Sequence, residues 1–292
     1  MPVPFDPHPP FQQYAQPERL VTAAWLSARL GVKGLRVVES DEDALLYDIG
    51  HIPGAVRIDW QRDLNDPVTR DFIDGEAFAR LMREKGISRD DTVVIYGDKS
   101  NWWAAFALWI FQLYGHPDVR LLNGGRDAWM AEERVTSFMV DAHPESNYPE
   151  VSYADADERI FVEKLQEMLH AGTISLVDTR TPEEFSGQPT AESPKGDSRY
   201  GTTARHGHIP GATNLEWSRA VLPNGCFRPL SDLHVAFGNL EPDTPTALYS
   251  HVGAQAAHTW FVLKFLLGFS DVRVYDGSWA EWGNMIKMPV ER

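Results

Sequence analysis

The stretch "VIYGDKSNWWAAFALWIFQLYGHPDVRLLNGGRDAW", residues 94–129, lies without a gap over "ALYSHVGAQAAHTWFVLKFLLGFSDVRVYDGSWAEW", residues 247–282. Tyr96 falls on Tyr249, Gly115 on Gly268, Val119 and Arg120 on Val272 and Arg273, Gly124 on Gly277, and Trp129 on Trp282, at a constant offset of 153. A second block, GHIPGA, occurs at residues 50–55 and 207–212, an offset of 157, and each copy is followed five residues later by a tryptophan, Trp60 and Trp217. Two blocks in the same order, with only four residues lost between them, indicate duplication of a whole domain rather than a short stacked unit.

Each copy alternates two kinds of segment. In the first, LRVVES (residues 35–40) and TVVIYG (92–97) are short β-branched runs, whereas AFARLMREKG (77–86) and WWAAFALWIFQLYG (102–115) carry apolar residues at helical spacing, the latter closing on Gly115. Strand, helix, strand, helix predicts an α/β fold in which each copy is a parallel sheet flanked by helices. The expected boundaries are residues 1–135 for the first domain, 136–157 for a polar, proline-bearing linker and 158–292 for the second domain. Ligands of such sheets sit at the carboxyl ends of strands, where Gly97 and Ser250 follow equivalent runs. The second copy alone carries a long polar insertion, residues 186–206, expected to be either a substrate lid or a tolerated surface loop.

With 292 residues, 43% of them hydrophobic, the chain can bury two ordinary cores. A net charge of -15 argues against a broad face for nucleic acid or anionic lipid, while leaving room for a local cationic pocket. The first twenty residues have neither a basic segment nor an apolar core, and no window approaches about 18 uninterrupted apolar residues, so a cytoplasmic protein without a membrane partner is expected. The single cysteine, Cys226, excludes an internal disulfide and a thiolate zinc site. The ten histidines lack metal-binding spacing, and neither a dinucleotide nor a phosphate loop is present, so no metal or cofactor is expected.

The tandem units with GHIPGA, together with VDTRTPEEFSG (residues 177–187) and YDGSWAEWG (275–283), resemble the two-domain rhodanese-like sulfurtransferases, thiosulfate and 3-mercaptopyruvate sulfurtransferases among them, and especially actinobacterial members. The resemblance spans residues 15–290. It implies two tandem rhodanese-like domains, a catalytically silent N-terminal copy, and a C-terminal six-residue loop whose first residue is a cysteine. That cysteine takes sulfane sulfur from a small anionic donor as a persulfide and passes it to cyanide, a thiol or a protein acceptor. Such chemistry needs a thiolate whose pKa is lowered by loop N–H groups and the helix dipole. Here the loop reads Ser250, His251, Val252, Gly253, Ala254, Gln255.

A hydroxyl cannot take the thiolate's place: its pKa is far higher, oxygen attacks sulfane sulfur poorly, and the product is not a persulfide. Sulfur transfer is therefore expected to be absent with Ser250 in place. Cys226 sits in an Asn-Gly turn context far from the loop and reads as an incidental thiol. Serine hydrolysis through His251 or His258 lacks the flanking glycine elbow of serine hydrolases. What remains is a silenced sulfurtransferase, a pseudoenzyme that binds anions or proteins, or a different Ser250-dependent chemistry. The serine itself fits either a directed Cys-to-Ser change or natural divergence. Close actinobacterial relatives carry arginines inside the loop, where this chain has His251 and Gln255, and one substitution does not explain that loss.

The family places donor-holding cations near Arg180 and Arg205, and forked guanidiniums suit carboxylates and sulfonates. The competing reading is a salt bridge from Arg180 to Glu183 or Glu184 and a solvated Arg205. Asp178 is expected to cap a turn, His51 and His208 to be structural, and Trp279 and Trp282 to pack the second domain. Gly97 and Asp98 hold the equivalent loop position in the first copy, where an acid repels an anionic donor. Trp102 and Trp103 read as helix and interface packing, with an aromatic site rim as the alternative.

Overall fold

The computed structural model describes residues 3–153, 157–188 and 203–292. Most of the polar insertion, residues 189–202, and linker residues 154–156 lie outside the described residues. The chain divides into two compact units, residues 1–154 with 221–227, and residues 155–220 with 228–292.

In unit 1 the strands are β1 (Leu20–Val21), β2 (Leu35–Glu39), β3 (Val56–Arg57), β4 (Thr92–Tyr96) and β5 (Val119–Leu122). They form one parallel sheet in the order β1-β5-β4-β2-β3. All five residues of the central strand β4 are buried, as expected of a sheet covered on both faces. The helices are α1 (Ala23–Ser27), α2 (Trp60–Asp63), α3 (Gly75–Glu84), α4 (Trp102–Leu113) and α5 (Gly125–Ala131). Helix α4, apolar on nearly every side, is buried along most of its length and stops where Gly115 takes φ +63, with Gly115 N–H donating to Gln112 O and His116 N–H to Phe111 O.

Unit 2 repeats the plan. Strands β6 (Arg159–Ile160), β7 (Ser175–Asp178), β8 (Thr213–Asn214), β9 (Thr246–Tyr249) and β10 (Val272–Tyr275) form a parallel sheet in the order β6-β10-β9-β7-β8. Its helices are α6 (Val162–Ala171), α7 (Pro182–Phe185), α8 (Leu230–Ala236), α9 (Ala254–Phe261) and α10 (Ser278–Trp282). Thr181 opens α7 with a full capping box to Glu184, which gives Glu184 a structural task. Helix α9 continues into a π-helical turn, Val262–Leu266.

The GHIPGA histidines are structural in both units. His51 stacks on Tyr47 at 3.8 Å and its ring nitrogens lie 2.9 Å from Tyr47 O and 3.0 Å from Met139 O. His208 stacks on Phe185 at 3.6 Å, with Nδ1 2.8 Å from Phe185 O. Trp279 and Trp282 belong to the unit 2 core with Tyr249 and Tyr275. Among the described residues no helix is long and apolar enough to cross a membrane.

Candidate functional site

The site is built where β7 and β9 end side by side, with Asp178 registered on Tyr249. Ser250 follows β9 and is only 1% exposed. Its backbone is clamped from α10: Ser250 N–H donates to Ser278 Oγ at 3.3 Å, Ser250 O accepts from Trp279 N–H at 3.0 Å, and His251 O accepts from Ala280 N–H at 2.9 Å. The Ser250 hydroxyl oxygen accepts from Gly253 N–H at 2.9 Å. The N–H groups of Val252, Ala254 and Gln255 find no acceptor among the described residues. Ala254 and Gln255 open α9, whose first N–H groups and dipole favour negative charge. The loop is therefore an uncharged set of backbone donors around a hydroxyl, with no arginine or lysine among residues 250–255.

The two arginines expected to hold an anion are given to internal acceptors instead. Arg180 forms a bidentate pair with Asp178, Nε to Oδ1 at 3.0 Å and Nη2 to Oδ2 at 2.6 Å, and Nη2 also donates to Gly207 O at 2.8 Å. Both partners are buried, and the guanidinium lies 4.7 Å from the Trp279 ring centre and 5.6 Å from that of Tyr249. Burial disfavours the Arg180 charge, but the Asp178 carboxylate outweighs it and holds the guanidinium pKa above its ordinary value. Asp178, not Glu183 or Glu184, is thus the carboxylate bound to Arg180, and its capping bond is to Arg180 N–H at 2.9 Å. Arg205 donates to Gly283 O at 3.1 Å, Trp282 O at 2.7 Å and Met285 O at 2.8 Å, and also to Met288 O, fastening the turn after α10. The geometry gives both side chains a role in holding the frame around the loop.

His258 is fully buried with its ring edge-on to Trp217 at 5.5 Å, and burial pushes its pKa down to about 3, which makes it a poor general base. His251 and Gln255 are half-buried, and Gln255 O accepts from the Thr259 hydroxyl at 3.2 Å. Cys226 sits in a hairpin closed by a Val221–Phe227 bridge that belongs to unit 1, while Ser250 belongs to unit 2. Burial pushes its thiol pKa up, the opposite of a reactive thiolate.

The equivalent loop of unit 1 is filled by its own side chains. Gly97 N–H donates to Asn101 Oδ1 at 3.0 Å, Asp98 N–H to Asp41 Oδ1 at 2.7 Å, and Glu42 N–H to Asp98 Oδ1 at 2.9 Å. Lys99, Ser100 and Asn101 all take positive φ, at 48°, 53° and 71°. Beneath them Glu39 is paired with Arg126 at 2.8 Å and accepts from the Tyr96 hydroxyl. Burial and the adjacent Glu39 push Asp41 up to about 9, and burial pushes Asp98 up to about 6. Trp103 stacks on Trp60 at 3.8 Å, which is packing. Ser278, Asn101 and Arg126 were not singled out by sequence reasoning; the aligned blocks carry the signal, since Asn101 and Gly125 in the first copy face Ala254 and Ser278 in the second.

Comparison with known proteins agrees with this architecture. The rhodanese-like domain model matches residues 22–132 and 161–285. A thiosulfate sulfurtransferase of Corynebacterium glutamicum is 64% identical over 100% of this chain and 96% of its own length. The sulfur carrier protein TtuD of Thermus thermophilus is 46% identical over 96% of this chain and 98% of its own. Among solved structures, an EanB variant in complex with ergothioneine superposes with a TM-score of 0.81 at 25% identity, covering 95% of this chain and 71% of that one. With both halves matched and the alignments running end to end, the chain belongs to the two-domain rhodanese sulfurtransferase family.

Proposed function

We propose that the Ser250 loop is a donor site of the sulfurtransferase type that binds a small sulfur-bearing anion, thiosulfate or 3-mercaptopyruvate, without taking its sulfur. The observation that carries this reading is the hydroxyl at the nucleophile position, held at the head of α9 beside the open donors of Val252, Ala254 and Gln255. A thiolate in that place attacks the donor's outer sulfur. A new S–S bond forms and the bond from that sulfur to the rest of the donor breaks: thiosulfate releases sulfite, and 3-mercaptopyruvate releases the enolate of pyruvate, which takes up the proton given up by the donor thiol. An acceptor thiol then removes the sulfur and restores the thiolate. Ser250 is un-ionised near neutral pH, and its oxygen already accepts the Gly253 N–H that would otherwise stabilise a bound anion. Binding remains; transfer stops. The sulfurtransferase and sulfur carrier names of the relatives support thiosulfate-class donors and a thiol or protein acceptor for a cysteine-bearing form.

Intact-mass spectrometry and cyanide-acceptor assays on the protein and its Ser250→Cys variant test this. The variant is expected to gain the mass of one sulfur atom from thiosulfate or 3-mercaptopyruvate and to turn over, while the parent does neither. Turnover by the parent that survives Ser250→Ala and is lost on Cys226→Ala would assign the chemistry to Cys226. Turnover lost on Ser250→Ala would instead assign a different chemistry to Ser250.

A further inference from the structure

Ser278 is buried and non-glycine, yet it has φ 53°, a left-handed conformation that side chains disfavour. Its hydroxyl makes two bonds, accepting from Ser250 N–H at 3.3 Å and donating to Tyr275 O at 2.9 Å. The equivalent residue in unit 1 is Gly125, also left-handed at φ 57°. There the first N–H of the loop, that of Gly97, is taken by Asn101 Oδ1 from within the loop. One further bond of the clamp is shared by the two units: Gly97 O accepts from Arg126 N–H at 2.9 Å, and Ser250 O from Trp279 N–H at 3.0 Å.

These two ways of capping the first N–H exclude each other. A Cβ on Gly125 would lie 2.3 Å from Asn101 Oδ1 and 2.5 Å from Gly97 O, closer than atoms approach. Unit 1 therefore pairs Asn101 with Gly125, and its loop is occupied by the amide. Unit 2 pairs Ala254 with Ser278, so the cap comes from beneath and position 254 ends at a methyl group. We propose that Ser278 is a positioning residue for the Ser250 loop: its hydroxyl fixes the first loop N–H from outside, and this keeps the loop interior clear for the ligand. The role rests on the reading of that loop as the donor site. A left-handed serine is retained because glycine would give up both hydroxyl bonds, and the amide alternative would fill the site.

The test uses full-length protein carrying Ser250→Cys and Cys226→Ala, so that one thiol reports, and follows its alkylation by iodoacetamide against pH. Adding Ser278→Ala is expected to raise the thiol pKa and slow alkylation at pH 7 by about threefold or more, since loop donors that lose their fixed direction stabilise the thiolate less. A lowered thiol pKa in the parent that Ser278→Ala leaves unchanged overturns the role of Ser278 alone. An ordinary thiol pKa in the parent overturns the donor-site reading, and the role with it. Melting temperatures provide a second readout that does not depend on the thiol. Ala254→Asn alone sets the amide against Ser278 and is expected to melt early, and Ser278→Gly added to it is expected to recover the loss while abolishing the rapid alkylation. Additive losses for the pair overturn the mutual exclusion.

Discussion

The loops at residues 97–102 and 250–255 hang from the same frame, a central strand on one side and a short helix start on the other, yet one is full and the other is open. In unit 1 the first two loop donors, Gly97 and Asp98 N–H, are spent on Asn101 and Asp41, Asn101 N–H goes to Asp98 O and Trp102 N–H to Lys99 O, and the chain passes through three successive left-handed residues. At the unit 2 site the left-handed non-glycine residue is Ser278, outside the loop, and the N–H groups of Val252, Ala254 and Gln255 find no acceptor among the described residues. The buried ion pair under each loop has also changed hands. Glu39 of β2 is matched by Arg126 at the start of α5, whereas Asp178 of β7 is matched by Arg180 two residues along its own chain. Duplicated backbones thus keep part of their hydrogen-bonded frame while the side chains around it differ, and the proposed donor site rests on that difference.

The strongest way to break the comparison is to move the nucleophile. If the backbone frame alone made a donor site, Gly97→Cys would work as Ser250→Cys does. A Cβ on Gly97, however, would lie 2.1 Å from Ser40 O, and backbone cannot yield as a side-chain tip can. Gly97→Cys is expected to cost about 1–3 kcal/mol or more, visible as an earlier denaturant midpoint, and to gain no sulfur from thiosulfate. A stable, persulfidated Gly97→Cys would show that the backbone frame with a thiol is enough, and that the side chains filling the unit 1 loop do not decide the matter.

The carboxylates sharpen the contrast through pH. Asp41 has its folded pKa pushed up to about 9 by burial and by Glu39, against an ordinary value of 3.8. A raised folded pKa contributes stability that is fully present below the unfolded value and is lost as pH rises through the folded one. Stability is therefore expected to fall from about pH 4 toward pH 9, as the unfolded chain releases a proton that Asp41 keeps. Asp41→Asn retains an acceptor for Asp98 N–H and a donor toward Glu39, so it should flatten this slope and raise the melting temperature at pH 8 relative to the parent. An identical pH dependence in parent and variant would remove Asp41 as its source.

The sequence already made the frame legible. The repeat placed equivalent strands, the β-branched runs became β2 and β4, and Gly115 stopped α4 where a left-handed residue was needed. The position of Ser250 at a strand end and helix start was equally readable, because that junction is written in local pattern. Arg180 and Arg205 were harder: their partners are set by burial and by a turn 77 to 83 residues away, which no periodicity encodes. The hairpin around Cys226 joins unit 1 through a bond from Phe227 N–H to Asn123 Oδ1, 104 residues apart, so the domain alignment alone gave no sign of it. The exchange of Asn101 and Gly125 for Ala254 and Ser278 stood in the aligned blocks, but its meaning depends on the fold bringing position 125 so near Asn101 that a Cβ there would lie 2.3 Å from Oδ1.

The smallest expected effect concerns charge. The unit 2 loop offers an anion only neutral donors, in a chain of net charge -15, and the nearby arginines are engaged elsewhere. Gln255 is half-buried at the start of α9, so Gln255→Arg would add a cation at the loop rim that keeps access to solvent. Such a charge is worth about 0.5–1 kcal/mol at low ionic strength, which corresponds to a two- to fivefold gain in kcat/KM for thiosulfate in the Ser250→Cys background. The gain should shrink as salt rises, because an exposed charge is screened over about 8 Å at physiological ionic strength. The mirror change in unit 1, Trp102→Arg, should leave anion binding unaltered, since the donors behind that position are already occupied by Asn101 and Asp41. A salt-independent gain, or an equal gain from the unit 1 change, would mean that overall charge rather than the open loop attracts the anion.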